Sequence, residues 1–226
     1  MIRAYLLTLY NYAIPINMEK LPLRERKKNQ TRDRILQAAE ELLNDKSYPT
    51  VTLAEICDKA DIAQRTFFAY FPSKEAVFFY DKQLLVDEMA TRFTNRPDTT
   101  TTFQILRELL ISKVDSYMED RNHKLMNAHR SPTCNSAQFQ MYGDHLTQRC
   151  EEILRNSIAR DLHESPDSLG PMLAAASTNS TLAAIMSHLM ADQYPPISKK
   201  DILEILDKTL SFLEAGITAL DHKKML

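Results

Sequence analysis

Gln64 and Arg65 stand side by side at the start of a short amphipathic segment, and their side chains are suited to reading the edges of bases. The planar fork of an arginine reaches O6 and N7 of guanine with two parallel hydrogen bonds, and a glutamine amide does the same for N6 and N7 of adenine. Upstream, residues 20–34 carry Lys20, Arg24, Arg26, Lys27, Lys28, Arg32 and Arg34 against only Glu25 and Asp33. Such an arm suits a polyanion, although a run of charges is also the ordinary composition of a solvated face.

Other chemistries find little support. There is no nucleophile elbow, no glycine-rich phosphate loop, and no acid–base pair at helical offsets, so the residues argue against an enzyme and assign no catalytic group. His123, His129, His145 and His188 lack a second ligand at helical spacing, which leaves no metal site and no cofactor to expect. Cys57, Cys134 and Cys150 are odd in number, lack CxxC spacing, and read as apolar filler in a reducing compartment, the cytoplasm.

The elements that must position Gln64 and Arg65 are helices. Only 3 glycines occur in 226 residues, which disfavours hairpin-rich folds. Apolar positions at Ile35, Ala38, Ala39, Leu42 and Leu43 predict a first helix over 30–46, capped by Asn29 or Thr31. Thr52 and Glu55 form a capping box opening a second helix that runs to Ala60. A third helix over 62–71 ends at Pro72, and Ser73 caps a fourth running to Thr94. Two short helices joined by about three residues predict a helix-turn-helix, with Ala54, Ile56, Cys57 and Ala60 facing Ile62 and Phe67. Further helices are expected at 103–120, 121–130, 134–162, 168–191 and 199–221.

Charge is distributed unevenly. Residues 18–74 balance at +2 and residues 75–226 at -5, so a modestly basic segment precedes an acidic body. Residues 1–17 are apolar but too short to span a bilayer, and no membrane association is expected. Met18 reads as a natural beginning, with residues 1–17 as a loosely held arm in the alternative. The expected division is therefore 1–18, a helix-turn-helix domain over 19–74, and a helical domain over 75–226.

The run from Thr31 to Val77 resembles the DNA-binding domain of the TetR/AcrR family of regulators. The matching pieces are Thr31-Arg-Asp-Arg-Ile-Leu-Gln-Ala-Ala, Val51-Thr-Leu-Ala-Glu-Ile, and Arg65-Thr-Phe-Phe-Ala-Tyr-Phe-Pro-Ser-Lys-Glu-Ala. The resemblance implies an all-α protein with a three-helix reading domain followed by a larger ligand-binding and dimerisation domain. It implies phosphate contacts from Thr52, Thr66, Tyr70 and Lys74, with Gln64 and Arg65 on base edges and Lys27 and Lys28 in a supporting basic arm. Asp61 stands where the family has a turn glycine, Ala63 where it has a Ser or Thr cap, and Phe68 and Ala69 where Tyr and His are common. These departures weaken contacts to the DNA backbone and leave open an adaptor that no longer binds DNA.

By the same resemblance the chain is a homodimeric transcriptional repressor that binds a palindromic operator in double-stranded DNA and is released by a small-molecule effector. The stripe containing Leu206, Leu210, Leu213 and Ile217, beside a helix rich in small residues, is the expected dimer interface, with burial inside one subunit as the competing reading. Tyr117, Met118, Phe139, Met141, Met172 and Met186 are candidates for a soft apolar pocket, and the acidic body with its apolar composition suggests a hydrophobic or cationic effector. Plain core is the competing reading of each of them, and the more ordinary one.

Overall fold

The computed structural model describes residues 22–120, 136–189 and 197–219, and every regular element among them is helical. The expected helix at 121–130, the extension at 1–18 and the side chain of Tyr117 lie outside the described residues. The helices are α1 (Leu23–Asp45), α2 (Leu53–Lys59), α3 (Gln64–Phe68), α4 (Lys74–Phe78), α5 (Tyr80–Thr94), α6 (Thr102–Asp120), α7 (Ala137–Leu162), α8 (Leu169–Leu189) and α9 (Lys199–Thr218). A 3-10 turn at Tyr48–Thr50 joins α1 to α2. No described helix is long and apolar enough to cross a membrane.

Two compact units are present. Among the described residues, one comprises 22–84 with 119–120 and 136–144, and the other comprises 85–118 with 145–189 and 197–219. In the first, Ile35, Ala39, Val51, Ile56, Phe67 and Val77 are almost wholly buried, so α1 to α4 close on one apolar centre. Beside it Tyr48 meets Phe78 edge-on at 4.7 Å and Phe139 at 4.3 Å, while Phe79 packs on Phe139 at 4.6 Å and stacks on Tyr142 at 5.5 Å. Gly143 belongs to this contact: a Cβ there would stand 3.1 Å from the Phe79 ring, so a side chain would push the ring away.

Two boundaries differ from expectation. α1 begins at Leu23 rather than at 30, with Pro22 in the N-cap position, because proline is well suited to a helix start. From Arg24 onwards the basic residues thus lie in the first turns of α1, and Asn29 is buried inside that helix instead of capping it. The single helix expected over 73–94 is divided at Phe79 (φ -99°, ψ 10°), whose ring is buried in the aromatic contact just described. Local periodicity carries no sign of that contact, since Phe139 lies 60 residues downstream.

The second unit is built on Leu106, Leu109, Leu154, Ile158, Ala175 and Leu210, with Val114, Ile202 and Leu206 forming a smaller neighbouring group. Leu206, Leu210 and Leu213 are 5%, 0% and 6% exposed, and Ile217 packs against the same core. Leu206, Leu210 and Leu213 are thus covered within one chain, which is the competing reading of the stripe, while Ile217 is covered only in part. The α9 periodicity correctly demanded burial, but it could not say by which surface. At α9's start Ser198 and Asp201 form a capping box that satisfies the free N–H groups of its first turn.

Candidate nucleic-acid interface

The turn that sets α3 against α2 is closed by two backbone bonds of a Schellman pattern. The N–H of Ile62 donates to Cys57 O at 3.0 Å and that of Asp61 donates to Asp58 O at 3.2 Å. Asp61 takes φ 51°, the left-handed region that glycine usually fills and that Asp enters more readily than most residues. The same solution recurs at the end of α7, where His163 has φ 55° and the N–H of Glu164 donates to Ala159 O at 3.0 Å. A chain so poor in glycine makes its tight helix exits from other residues.

Arg34 of α1 completes the turn. Its Nε donates to Ala60 O at 3.1 Å and its Nη2 to Asp61 O at 2.9 Å, so a guanidinium caps the carbonyl end of α2. From sequence, Arg34 counts among the solvent-facing cations of the basic arm. The available signal was a turn lacking glycine, whose carbonyls need a donor from elsewhere.

Within α3, Phe67 is fully buried and Phe71, just beyond it, is 2% exposed, with their rings 5.8 Å apart. Those two rings fix the rotation of the helix about its own axis. Gln64, Arg65, Phe68 and Ala69 consequently face solvent, and Thr66 and Tyr70 lie half-buried at the flanks. Ala63 supplies no side-chain cap and Asp61 does not replace it, so α3 relies on packing more than on capping.

The other sequence candidates divide into free and occupied groups. Lys27 and Lys28 are exposed on α1. The Thr52 hydroxyl is exposed yet engaged: it accepts from the N–H of Glu55 at 3.2 Å and donates to Glu55 Oε2 at 2.9 Å. Glu55 also pairs with Lys46, and the Lys46 ammonium and the two Thr52 donors hold its carboxyl down at about 2. It therefore stays ionised, as an anion at a helix start should. Lys74 is turned inward. Its ammonium donates to Val51 O at 2.8 Å and to Tyr48 O at 3.3 Å, and it lies 4.2 Å from the centre of the Tyr48 ring. Tyr48 in turn donates to the buried Glu75 at 2.6 Å. Burial pushes the Glu75 carboxyl up, but the hydrogen bonds from Tyr48, its own backbone and Ser73, helped by the Lys74 charge, outweigh this and hold it below the usual range.

The residues expected to line an apolar pocket are divided between the two units. Phe139 sits in the core of the first unit between Tyr48 and Phe79. Met141, in the same unit, is 70% exposed. In the second unit Met172 and Met186 face solvent, and Met118 packs against the group of Val114, Ile202 and Leu206. Methionine content marks soft apolar surface without saying where it gathers. A cleft of about 650 Å³ does occur in the second unit, but its walls include Arg96, Asp98, Arg160, Asp161, His163 and Glu164.

Residues 35–80 match the model of the bacterial regulatory proteins, tetR family. The HTH-type transcriptional regulator TcmR of Streptomyces glaucescens is 40% identical over 55 residues, which is 24% of this chain and 24% of that protein. Two solved structures share the fold over most of their length. Native NalD of Pseudomonas aeruginosa, the secondary repressor of the MexAB-OprM multidrug efflux pump, has a TM-score of 0.55 at 18% identity, over 79% of this chain and 96% of that one. A tetR-family transcriptional regulator from Streptomyces coelicolor has a TM-score of 0.51 at 19% identity, over 90% of this chain and 86% of that one. The family match covers the segment that builds the turn and α3, while the fold likeness extends through the later helices. On these findings residues 35–80 are similar to the tetR family of bacterial regulatory proteins, and the chain as a whole shares the fold of these solved regulators.

Proposed function

We propose that this protein is a transcriptional regulator acting in the cytoplasm, a homodimer that reads a palindromic operator in double-stranded DNA and is released by a small-molecule effector. The observation that carries the reading is the outward face of α3, where Gln64 and Arg65 are exposed while Phe67 and Phe71 anchor the helix behind them. Thr66, Tyr70, Lys27, Lys28 and the exposed Thr52 surround that face as phosphate contacts, and phosphate contacts set register while base contacts choose sequence. Lys74 acts as a positioning residue that ties the 48–51 segment to α4.

Selection of bound fragments from random DNA tests this reading. A palindromic consensus is expected, with half-sites about 34–36 Å apart and an affinity that falls steeply with salt. Arg65→Ala is expected to cost about 1–3 kcal/mol on the selected site and to relax preference at one position per half-site. An equal loss on every sequence would instead make Arg65 a phosphate contact.

Self-association is supported by a face that one chain leaves open. α8 contains no Asp, Glu, Lys or Arg, and its apolar residues are spread around the helix, a composition that asks for burial on more than one side. Its inner side carries Ala174 and Ala175, while its outer side exposes Leu169, Met172, Leu173, Ser180 and Ala184 with no charge among them. On the neighbouring α9, Phe212 is 75% exposed beside Ala215 and Gly216. Phe212→Glu is expected to convert a dimer into a monomer in sedimentation velocity with helix content unchanged. A dimer that persists in this variant would remove Phe212 from the interface.

Release is the regulatory half of the proposal. An effector that binds one arrangement of the dimer better shifts the population toward it, and reading heads at the wrong spacing then leave the operator. NalD, whose fold is similar, is a repressor, and repression is the sense proposed here.

A further inference from the structure

We infer that Phe68 reads thymine, recognising its C5-methyl group in the major groove beside the base pair addressed by Gln64 and Arg65. The inference rests on the DNA-reading function proposed above and deepens it by naming a base.

Phe68 is 54% exposed, although a phenylalanine one residue away, Phe67, is fully buried. Single exposed hydrophobic residues are common on proteins and require no explanation alone. Here the surroundings are particular. Residues three and four apart share one face of a helix, so Phe68 stands on the same face as Gln64 and Arg65, and Ala69 stands four residues beyond Arg65. Phe67 meets the Phe68 ring edge-on at 5.6 Å, bracing one side and leaving the rest of the ring open. Ala69 is exposed and too short to cover it.

A face that combines an arginine, a glutamine amide and a bare aromatic ring calls for a surface with hydrogen-bond acceptors, a donor and an apolar point within a few ångströms. The major groove offers this combination: purine N7 and O6, adenine N6, and the methyl of thymine, its one apolar feature. Phe68 has no polar atom, so it has no favourable contact to offer a phosphate. Positions four apart on a helix are separated by about 6 Å along its axis, roughly two base-pair steps, so the thymine lies within about two base pairs of the one that Gln64 contacts.

Uracil pairs as thymine does and lacks only the methyl, which makes it the probe. Each thymine of the selected operator is replaced in turn, and binding of the full-length protein is measured. One position per half-site is expected to lose about 4-fold, and about 15-fold when both half-sites are replaced, as the burial of one methyl per site predicts. Phe68→Ser should bind thymine and uracil operators alike, whereas Phe68→Tyr, which keeps the ring, should retain the difference. Circular dichroism of both variants checks that α3 persists. Uracil without effect at every position, or an undiminished effect in Phe68→Ser, overturns the assignment to Phe68 while leaving sequence reading intact. Failure of the wild-type protein to select any sequence overturns the DNA-reading function and this inference with it.

Discussion

Phe67→Ala is expected to lower stability by about 3–5 kcal/mol, the range for removing a fully buried aromatic side chain, and to abolish selective DNA binding. Phe67 is 0% exposed, and it is the residue that sets which way α3 faces. Its loss opens a space between α2 and α3 that the surrounding helices fill only in part. A five-residue helix without a side-chain cap cannot hold its own rotation against that change. Urea unfolding of the full chain measures the first effect, and binding to the selected operator the second. Phe67→Leu should lose less of both. If Phe67→Ala kept wild-type selectivity, the orientation of Gln64 and Arg65 would have to be fixed by something other than this ring.

Arg96→Met is expected to cost about 3 kcal/mol, the low end for breaking a buried ion pair, because the guanidinium is buried while Asp161 keeps part of its surface in water and its bond from Thr102. The Arg96 side chain is 2% exposed. Its guanidinium pairs with Asp161 at 2.6 Å and donates to Ser157 O at 2.9 Å, and it also reaches Thr100 O. Asp161 serves a second group as well, since its other oxygen accepts from the N–H of Thr102 at 2.8 Å, at the start of α6. Beside them Thr102 and Ser157 share a hydroxyl contact at 2.8 Å, with both side chains buried. These bonds fasten the loop between α5 and α6 onto α7. Asp161→Asn added to Arg96→Met should recover part of the loss, since no unpaired carboxylate then remains, while keeping an acceptor for Thr102. Chemical denaturation of the single and double variants gives the coupling directly. Additive losses would mean that the two groups act independently.

The two variants test different units. Phe67 belongs to the unit that carries α3, and Arg96 to the unit that contains the cleft with charged walls. DNA selectivity is therefore the readout that separates them: direct misorientation of the reading face is expected only from Phe67→Ala.

What the sequence determined by itself was local. The Thr52–Glu55 capping box needs residues three apart, the turn at Asp61 needs six consecutive positions, and the exposure of Gln64 and Arg65 follows from helical spacing against Phe67 and Phe71. Each depends on interactions within a turn or two of chain, so pattern and chemistry suffice to read them. Tertiary structure decided the rest. An apolar stripe on α9 says that Leu206, Leu210 and Leu213 must leave water, but their own chain and a second copy would satisfy that demand equally well. The division at Phe79 and the burial of Phe139 depend on rings 60 positions apart, and the inward turn of Lys74 depends on carbonyls more than 20 residues upstream. Hydrophobic burial is non-directional and carries no record of its partner in the spacing of one helix, so only the assembled chain could name it.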